Sequence, residues 1–224
     1  MKSAILAAGL VLAAALPAAA QTAPGRVALG ASIGTPGIGA ELKFKANDQV
    51  VLRGAVDGLS YSHDVNYDNI DYDGKLKMFT GGAFADLHPF AGSGFLVSGG
   101  AYFGTRKIDL HATPVVTGTV KIGDVTYTGS QVGQLDGRVK MSKFQPFAGL
   151  GYDNSFTSDR RWGFKAMAGV AFSKKPDVTL TASGPLASNA QFQQELAREL
   201  TNIRDDAKGF RYFPVVQLGL SYRF

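Results

Sequence analysis

The sequence predicts an all-β protein, an eight-stranded antiparallel transmembrane β-barrel with one short helix in its last external loop. Three observations carry that expectation. The final nine residues alternate: Val216, Leu218, Leu220, Tyr222 and Phe224 share one face, and Gln217, Gly219, Ser221 and Arg223 share the other. That is the period of a strand with one apolar side. Seven further segments alternate in the same way between turn-rich breaks. The 28 Gly and 15 Phe suit a narrow barrel, with small residues relieving crowding inside and aromatic rings forming girdles at the two membrane interfaces.

Residues 1–20 read as a secretory signal peptide. Lys2 supplies the positive start, Ala4 to Ala15 the apolar run, and Ala18-Ala19-Ala20 a small-residue cleavage site before Gln21. That run is shorter than the roughly 20 apolar residues of a spanning helix. Residues 21–224 are then one outer-membrane barrel domain. The chain has no Cys, which excludes disulfides, thiolate metal sites and a lipid-bearing N-terminal cysteine. The formal net charge is +5, but the basic residues are scattered, so no nucleic-acid partner is expected.

The alternating segments fall near 27–34, 37–45, 49–61, 73–88, 94–109, 138–153, 161–182 and 209–224. In the second, Ile38, Ala40, Leu42 and Phe44 oppose Gly39, Glu41, Lys43 and Lys45; in the third, Val50, Leu52, Gly54 and Val56 oppose Val51, Arg53, Ala55 and Asp57. In the fourth, Phe79, Gly81, Ala83, Ala85 and Leu87 oppose Met78, Thr80, Gly82, Phe84 and Asp86. In the seventh, Trp162, Phe164, Ala166, Ala168, Val170 and Phe172 oppose Gly163, Lys165, Met167, Gly169, Ala171 and Ser173. The charge-free face belongs outward, in lipid, and the charged face inward. An open sheet would leave its edge N–H and C=O groups unsatisfied in hydrocarbon, so the ring must close.

The breaks alternate in length. Ala46 to Asp48, His88 to Ser93 and Asn154 to Arg161 are short, as periplasmic turns are; 62–72, 110–137 and 183–208 are long, as external loops are. Thr35-Pro36 is an unusually short first external connection. Gly123-Asp124 reads as a two-residue hairpin turn inside the third long loop. The last loop carries a helix over about 188–207, capped by Ser188, whose stripe Phe192, Leu196, Leu200, Ile203 and Ala207 is expected to cover the barrel's rim or mouth.

Catalytic and metal motifs do not survive their context. Gly30-Ala31-Ser32-Ile33-Gly34 matches a nucleophile elbow, but a second strand follows where the elbow needs a helix. His63, His88 and His111 are scattered, and no His follows His111, so the expectation is no enzyme and no cofactor. Asp68 to Gly74 has carboxylates spaced for a hard cation, yet it lacks the twelve-residue loop and distal Glu of an EF-hand. It reads as an external hairpin tip, with no metal.

The inward charges Glu41, Arg53, Asp57, Asp86 and Lys165 are the functional candidates, with Lys43 and Arg223 on the same faces near the strand ends. Eight strands leave an interior just wide enough for side chains. Buried charges must be paired, so these residues form either a charge-zipped plug or a selective path. Leu218, Leu220, Tyr222 and the terminal Phe224 have the form of a barrel-assembly signal.

Several runs carry a resemblance: Gly37-Ile38-Gly39-Ala40-Glu41-Leu42, Leu52-Arg53-Gly54, Leu87-His88-Pro89-Phe90, Pro146 to Tyr152, Ile122 to Tyr127 and Phe213-Pro214-Val215-Val216 through Phe224. With these the chain resembles the small outer-membrane barrels related to the carbapenem-resistance-associated protein CarO, and more distantly the OmpW-like barrels. The resemblance implies a bacterial outer-membrane barrel acting as a narrow porin-like path for small solutes, basic ones among them; it brings no catalytic residues. The alternative is a structural or surface-interaction barrel with a sealed lumen. The partners expected are outer-membrane lipid and lipopolysaccharide, the barrel-assembly machinery and small solutes.

Overall fold

The computed structural model describes residues 25–67, 70–90, 92–114, 118–206, 209 and 211–224, with only the backbone described at 65–67, 70–72 and 114. The signal peptide expected at 1–20 lies outside the described residues. The wall is built from β1 (Val27–Gly34), β2 (Gly37–Lys45), β3 (Val50–Tyr67), β4 (Ile70–Leu87) and β5 (Phe95–Pro114). Three more wall strands are β9 (Phe144–Asp153), β10 (Trp162–Phe172) and β12 (Tyr212–Arg223). Between β5 and β9 come the hairpin β6 (Thr119–Ile122) and β7 (Val125–Thr128), the one-turn helix α1 (Gly129–Val132) and β8 (Leu135–Lys140). Between β10 and β12 come β11 (Asp177–Ala182) and α2 (Ala190–Asp206).

The eight wall strands close antiparallel in the order β1-β2-β3-β4-β5-β9-β10-β12. The closing contacts are β5 against β9, from Phe95↔Tyr152 to Phe103↔Phe144, and β1 against β12, from Ala28↔Arg223 to Gly34↔Gln217. No edge is left around this ring, which is what hydrocarbon demands of a sheet. Facing follows the alternation. Ile38, Leu52, Phe79, Phe164, Leu218 and Leu220 are exposed on the outside, while Glu41, Arg53, Asp86 and Lys165 are buried inside. Exposed aromatics gather in two bands. Trp162, Tyr152, Tyr222 and Phe224 lie toward the short-turn end; Phe79, Phe103, Phe144, Phe172 and Tyr212 lie toward the other. β10 runs from one band to the other; at about 3.3 Å per residue and a tilt near 40°, its 11 residues stand roughly 25 Å tall, the height of a lipid-facing belt.

The structure corrects the strand lengths. Residues 62–72, expected as a loop, continue the β3–β4 ladder outward to Tyr67↔Ile70. The sixth and seventh segments are each interrupted, at 141–143 and 173–176. Pro176 has no N–H to give a ladder. The two breaks are stitched together instead: Ser142 N donates to Ser173 Oγ (3.2 Å) and Lys174 N to Ser142 Oγ (3.1 Å). Opposite them Gly104 adopts φ +139°, and a Cβ there would lie 2.9 Å from Thr80 Cα. This kink is where β5 changes partner from β9 to β8, and β8 then pairs with β11. One side of the wall therefore rises beyond the ring as a β5–β8–β11 ribbon, whereas β1 and β2 end at the Thr35-Pro36 turn.

On this ribbon sits a cap with its own core of Ile122, Val132, Phe192 and Leu196. The Gly123-Asp124 hairpin turn forms as the sequence reading has it, with Ile122↔Val125 closing it. Helix α2 lies within the expected 188–207 span, but its cap is Asn189 rather than Ser188, which belongs to a preceding 3-10 turn. Asn189 Oδ1 accepts from the N–H groups of Gln191 (3.0 Å) and Phe192 (3.1 Å), the usual side-chain service to a helix start. Phe192, Leu196 and Ile203 of the apolar stripe face the β6–β7 hairpin and the ribbon, Phe192 packing edge-on against Tyr127 at 5.0 Å, rather than the barrel's rim; Ala207 lies outside the described residues. A hairpin that cannot bury its own face gives the stripe a nearer partner.

Candidate functional site: the filled lumen

Glu41, Arg53, Asp57, Asp86 and Lys165 stand on β2, β3, β3, β4 and β10, and their side chains enter the lumen. Each is at most 2% exposed. Arg53 is gripped by Asp86 in a two-pronged ion pair, Nε to Oδ2 at 2.7 Å and Nη2 to Oδ1 at 3.1 Å. On the other side its Nη1 lies 3.7 Å from Glu41 Oε1. Ser98 Oγ, on β5, donates to Asp86 Oδ1 (2.5 Å) and accepts from Arg53 Nη2 (3.1 Å). Lys165 reaches across to Glu41.

The cluster extends to residues on which the sequence reading laid less weight or none. Lys43 Nζ donates to Asp153 Oδ2 (2.5 Å) and Ser155 Oγ (3.1 Å), and lies 3.8 Å from Glu41 Oε2. Ser155 shares a 2.6 Å hydroxyl contact with Ser221. This layer thus joins β2, β3, β4, β5, β9, β10 and β12 through side chains alone. Asp153 closes the inward face of its strand just before the short turn, and a carboxylate on that face was the legible signal, though its partner Lys43 was not. Arg223, only half-buried, points to the Asp159 carbonyl (3.4 Å) and is not part of the cluster.

Above the charges the lumen is filled by rings. Phe84, Tyr102 and Phe147 meet edge to face at 4.9, 5.4 and 5.6 Å, with Met167 and Val215 against them. The Arg53 guanidinium lies 4.2 Å from the Phe84 ring centre, so the rings also cover the charges. Glycine makes the room: a Cβ on Gly169 would stand 2.7 Å from Phe147 Cε2, and one on Gly100 would stand 2.7 Å from Phe84 Cδ1. Phe84 was readable on the inward face; that three rings from different strands converge was not.

A third layer is polar but poorly paired. Asp57 takes one hydrogen bond, from Gln217 Nε2 across the lumen (3.2 Å), and its Oδ2 has no partner. Gly39 leaves space for that carboxylate; a Cβ there would be 3.0 Å from Asp57 Cγ. Arg106 contacts Gln145 and packs over Tyr102 (4.9 Å) and Phe213 (4.4 Å), with its Nε and Nη2 unpartnered. Thr80 Oγ1, Tyr102 OH and Gln145 Nε2 are buried without partners beside them. Such groups need water or a polar guest.

The residues of the remaining motifs are dispersed over the structure. Ser32 lies within β1, paired to Gly39 and Gly219, with no helix after it. His88 is buried at the end of β4, His63 meets Tyr61, and His111 pairs with Asp136 on β8. Of the candidate cation tip, Asp68 and Asn69 lie outside the described residues. Among the described residues no group of three or more His, Asp or Glu could hold a metal ion.

A closed antiparallel ring with an apolar belt and a charged interior defines the class: a membrane-type β-barrel. Crystal structures with a similar fold include two from Acinetobacter baumannii. The chain aligns with Acinetobacter baumannii CarO2 at a TM-score of 0.62 and 21% identity, and with Acinetobacter baumannii CarO at 0.61 and 22%. In both cases 89% of this chain and 98% of the other are covered. The likeness is one of fold, and it bears out the resemblance to CarO-related barrels. No protein-family model and no curated protein matches the chain.

Proposed function

We propose that this chain is a non-enzymatic protein of the bacterial outer membrane, forming a narrow path for small solutes that its own lumen charges hold shut. The observation that carries the reading is the contrast between lumen layers. The charged layer is paired across the barrel, and the third layer, beyond the rings, keeps Asp57, Thr80, Tyr102, Arg106 and Gln145 underpaired. Burying so many charges costs more than filling the same space with aliphatics, so a merely structural interior has little reason to use them. The underpaired layer supports a wet vestibule on the outer side. Export by a cleaved signal at 1–20, insertion by the assembly machinery and contact with lipopolysaccharide belong to the same proposal.

A second reading is a sealed barrel that displays its cap. The ring layer of Phe84, Tyr102 and Phe147 favours it, because those side chains fill the lumen independently of the charges. Planar-bilayer recording of three refolded proteins separates the two. A charge gate gives rare small events in the wild type and larger or more frequent ones in Arg53→Ala. Silence from Arg53→Ala, alongside current from a variant lacking 183–208, overturns the charge gate. Silence from all three establishes the sealed barrel.

A further inference from the structure

We propose that the cap holds one small free amphiphile, an apolar tail of roughly ten carbons with an anionic head, in a cavity outside the lumen. The cavity measures about 300 Å³ and lies between the β5–β8–β11 ribbon, β6 and the second half of α2. Ile108, Ala112, Val139, Val178, Leu180 and Ile203 are among the apolar residues of its wall. Aliphatic cavities of about 150 Å³ stay dry and take up a single benzene ring; twice that volume admits a chain of roughly ten carbons. It is also at the small end of the range of ligand sites.

Polar contacts fix its walls in addition to the packing of the cap's core. Glu199 Oε2 accepts from Gly123 N (3.1 Å) and Glu195 Oε2 from Asp124 N (3.0 Å), which ties the hairpin tip to the helix. Gly123 has φ +61°, and a Cβ there would be 3.0 Å from the Glu195 carbonyl oxygen, so the tip docks closely. At the far end Arg204 Nη2 donates to the Val178 carbonyl (3.1 Å). With helix, hairpin and ribbon pinned at these points, the gap cannot close by the small shifts that normally fill a void.

The head group follows from the charges at the lip. Arg138 is committed to Asp109, and that hydrogen bond holds the Asp109 carboxyl below the usual carboxylate range. Glu199 is committed to the hairpin tip. Lys121 lines the cavity, is exposed, and has no ion-pair partner among the described residues. Glu199 also lines the cavity but turns its carboxylate to the hairpin-tip N–H of Gly123, so of the lining charges the Lys121 ammonium is the one left to meet a head group, and it favours an anion.

The test uses the mature full-length chain in lipid nanodiscs, with decanoate and decanol as probes and empty discs as the baseline. Calorimetric titration should show one saturable decanoate site per protein. Ala112→Phe, which fills the cavity, should abolish it. Lys121→Gln should weaken decanoate about two- to fivefold, the worth of one exposed charge pair, and leave decanol unchanged. Decanoate uptake equal to that of empty discs overturns the proposal, as does an unaltered site in Ala112→Phe. If Ala112→Phe fails to fold, Lys121→Gln decides: unchanged decanoate affinity overturns the anionic head, and a selective loss sustains the site.

Discussion

Replacing Arg53 with Ala removes one guanidinium and strands two acids to very different degrees. Glu41 keeps Lys165 and the more distant Lys43, so it loses only a 3.7 Å interaction. Asp86 loses both prongs of its ion pair, at 2.7 and 3.1 Å, and keeps only the 2.5 Å hydroxyl of Ser98. An uncompensated buried charge typically costs about 3–5 kcal/mol. Against a total stability on the order of 5–15 kcal/mol, such a loss is large. Removing both partners is a different perturbation. Arg53→Met with Asp86→Leu leaves no stranded carboxylate, and apolar side chains of similar volume often replace a buried pair at little cost. The double variant should therefore be more stable than Arg53→Ala by roughly 2 kcal/mol or more, a coupling that only contacting residues show. Urea titration of the protein refolded into lipid vesicles, followed by the folded band on unheated gels, measures all variants on one scale. A cost below about 1 kcal/mol for Arg53→Ala, or a double variant no better than it, would refute the reasoning and mean that water already solvates Asp86.

Three further outcomes are expected. Phe224 closes the apolar face of β12, stacks edge-on against Tyr222 at 5.3 Å and accepts at its carbonyl from Gly25 N (2.6 Å); its deletion should leave export intact but prevent assembly, and wild-type levels of heat-modifiable barrel in the outer membrane would contradict this. Ala168 faces outward opposite Val216 and Leu150, so Ala168→Arg should destabilise the vesicle-embedded barrel by roughly 2–4 kcal/mol. Its neighbour Gly169 should be sensitive to bulk instead, because a Cβ there would press on Phe147; equal tolerance of Arg at Ala168 and at a lumen-facing polar position would overturn the facing.

Facing, strand number and closure were legible because each follows from one local variable. A period of two separates Ile38 and Phe44 from Glu41 and Lys43 whatever the rest of the chain does. The charge-free side then dictates a ring. The helix was legible through the 3.6-residue spacing of Phe192, Leu196 and Ile203, though its capping residue was one position off.

Only the tertiary structure decided what those faces meet. Lys165 is 124 residues from Glu41, and Asp153 is 110 from Lys43. Alternation says that each points inward, but the height at which it meets a partner depends on the stagger of all eight strands. The same stagger brings Phe84, Tyr102 and Phe147 edge to face over the charges, and it leaves Arg106 without an acid. The outer ribbon depended on Gly104 and the paired breaks at 141–143 and 173–176, where a bend in one strand is useful only if its neighbours bend at the same level. Sequence periodicity is a property of one strand, whereas pairing across a lumen is a property of the closed ring.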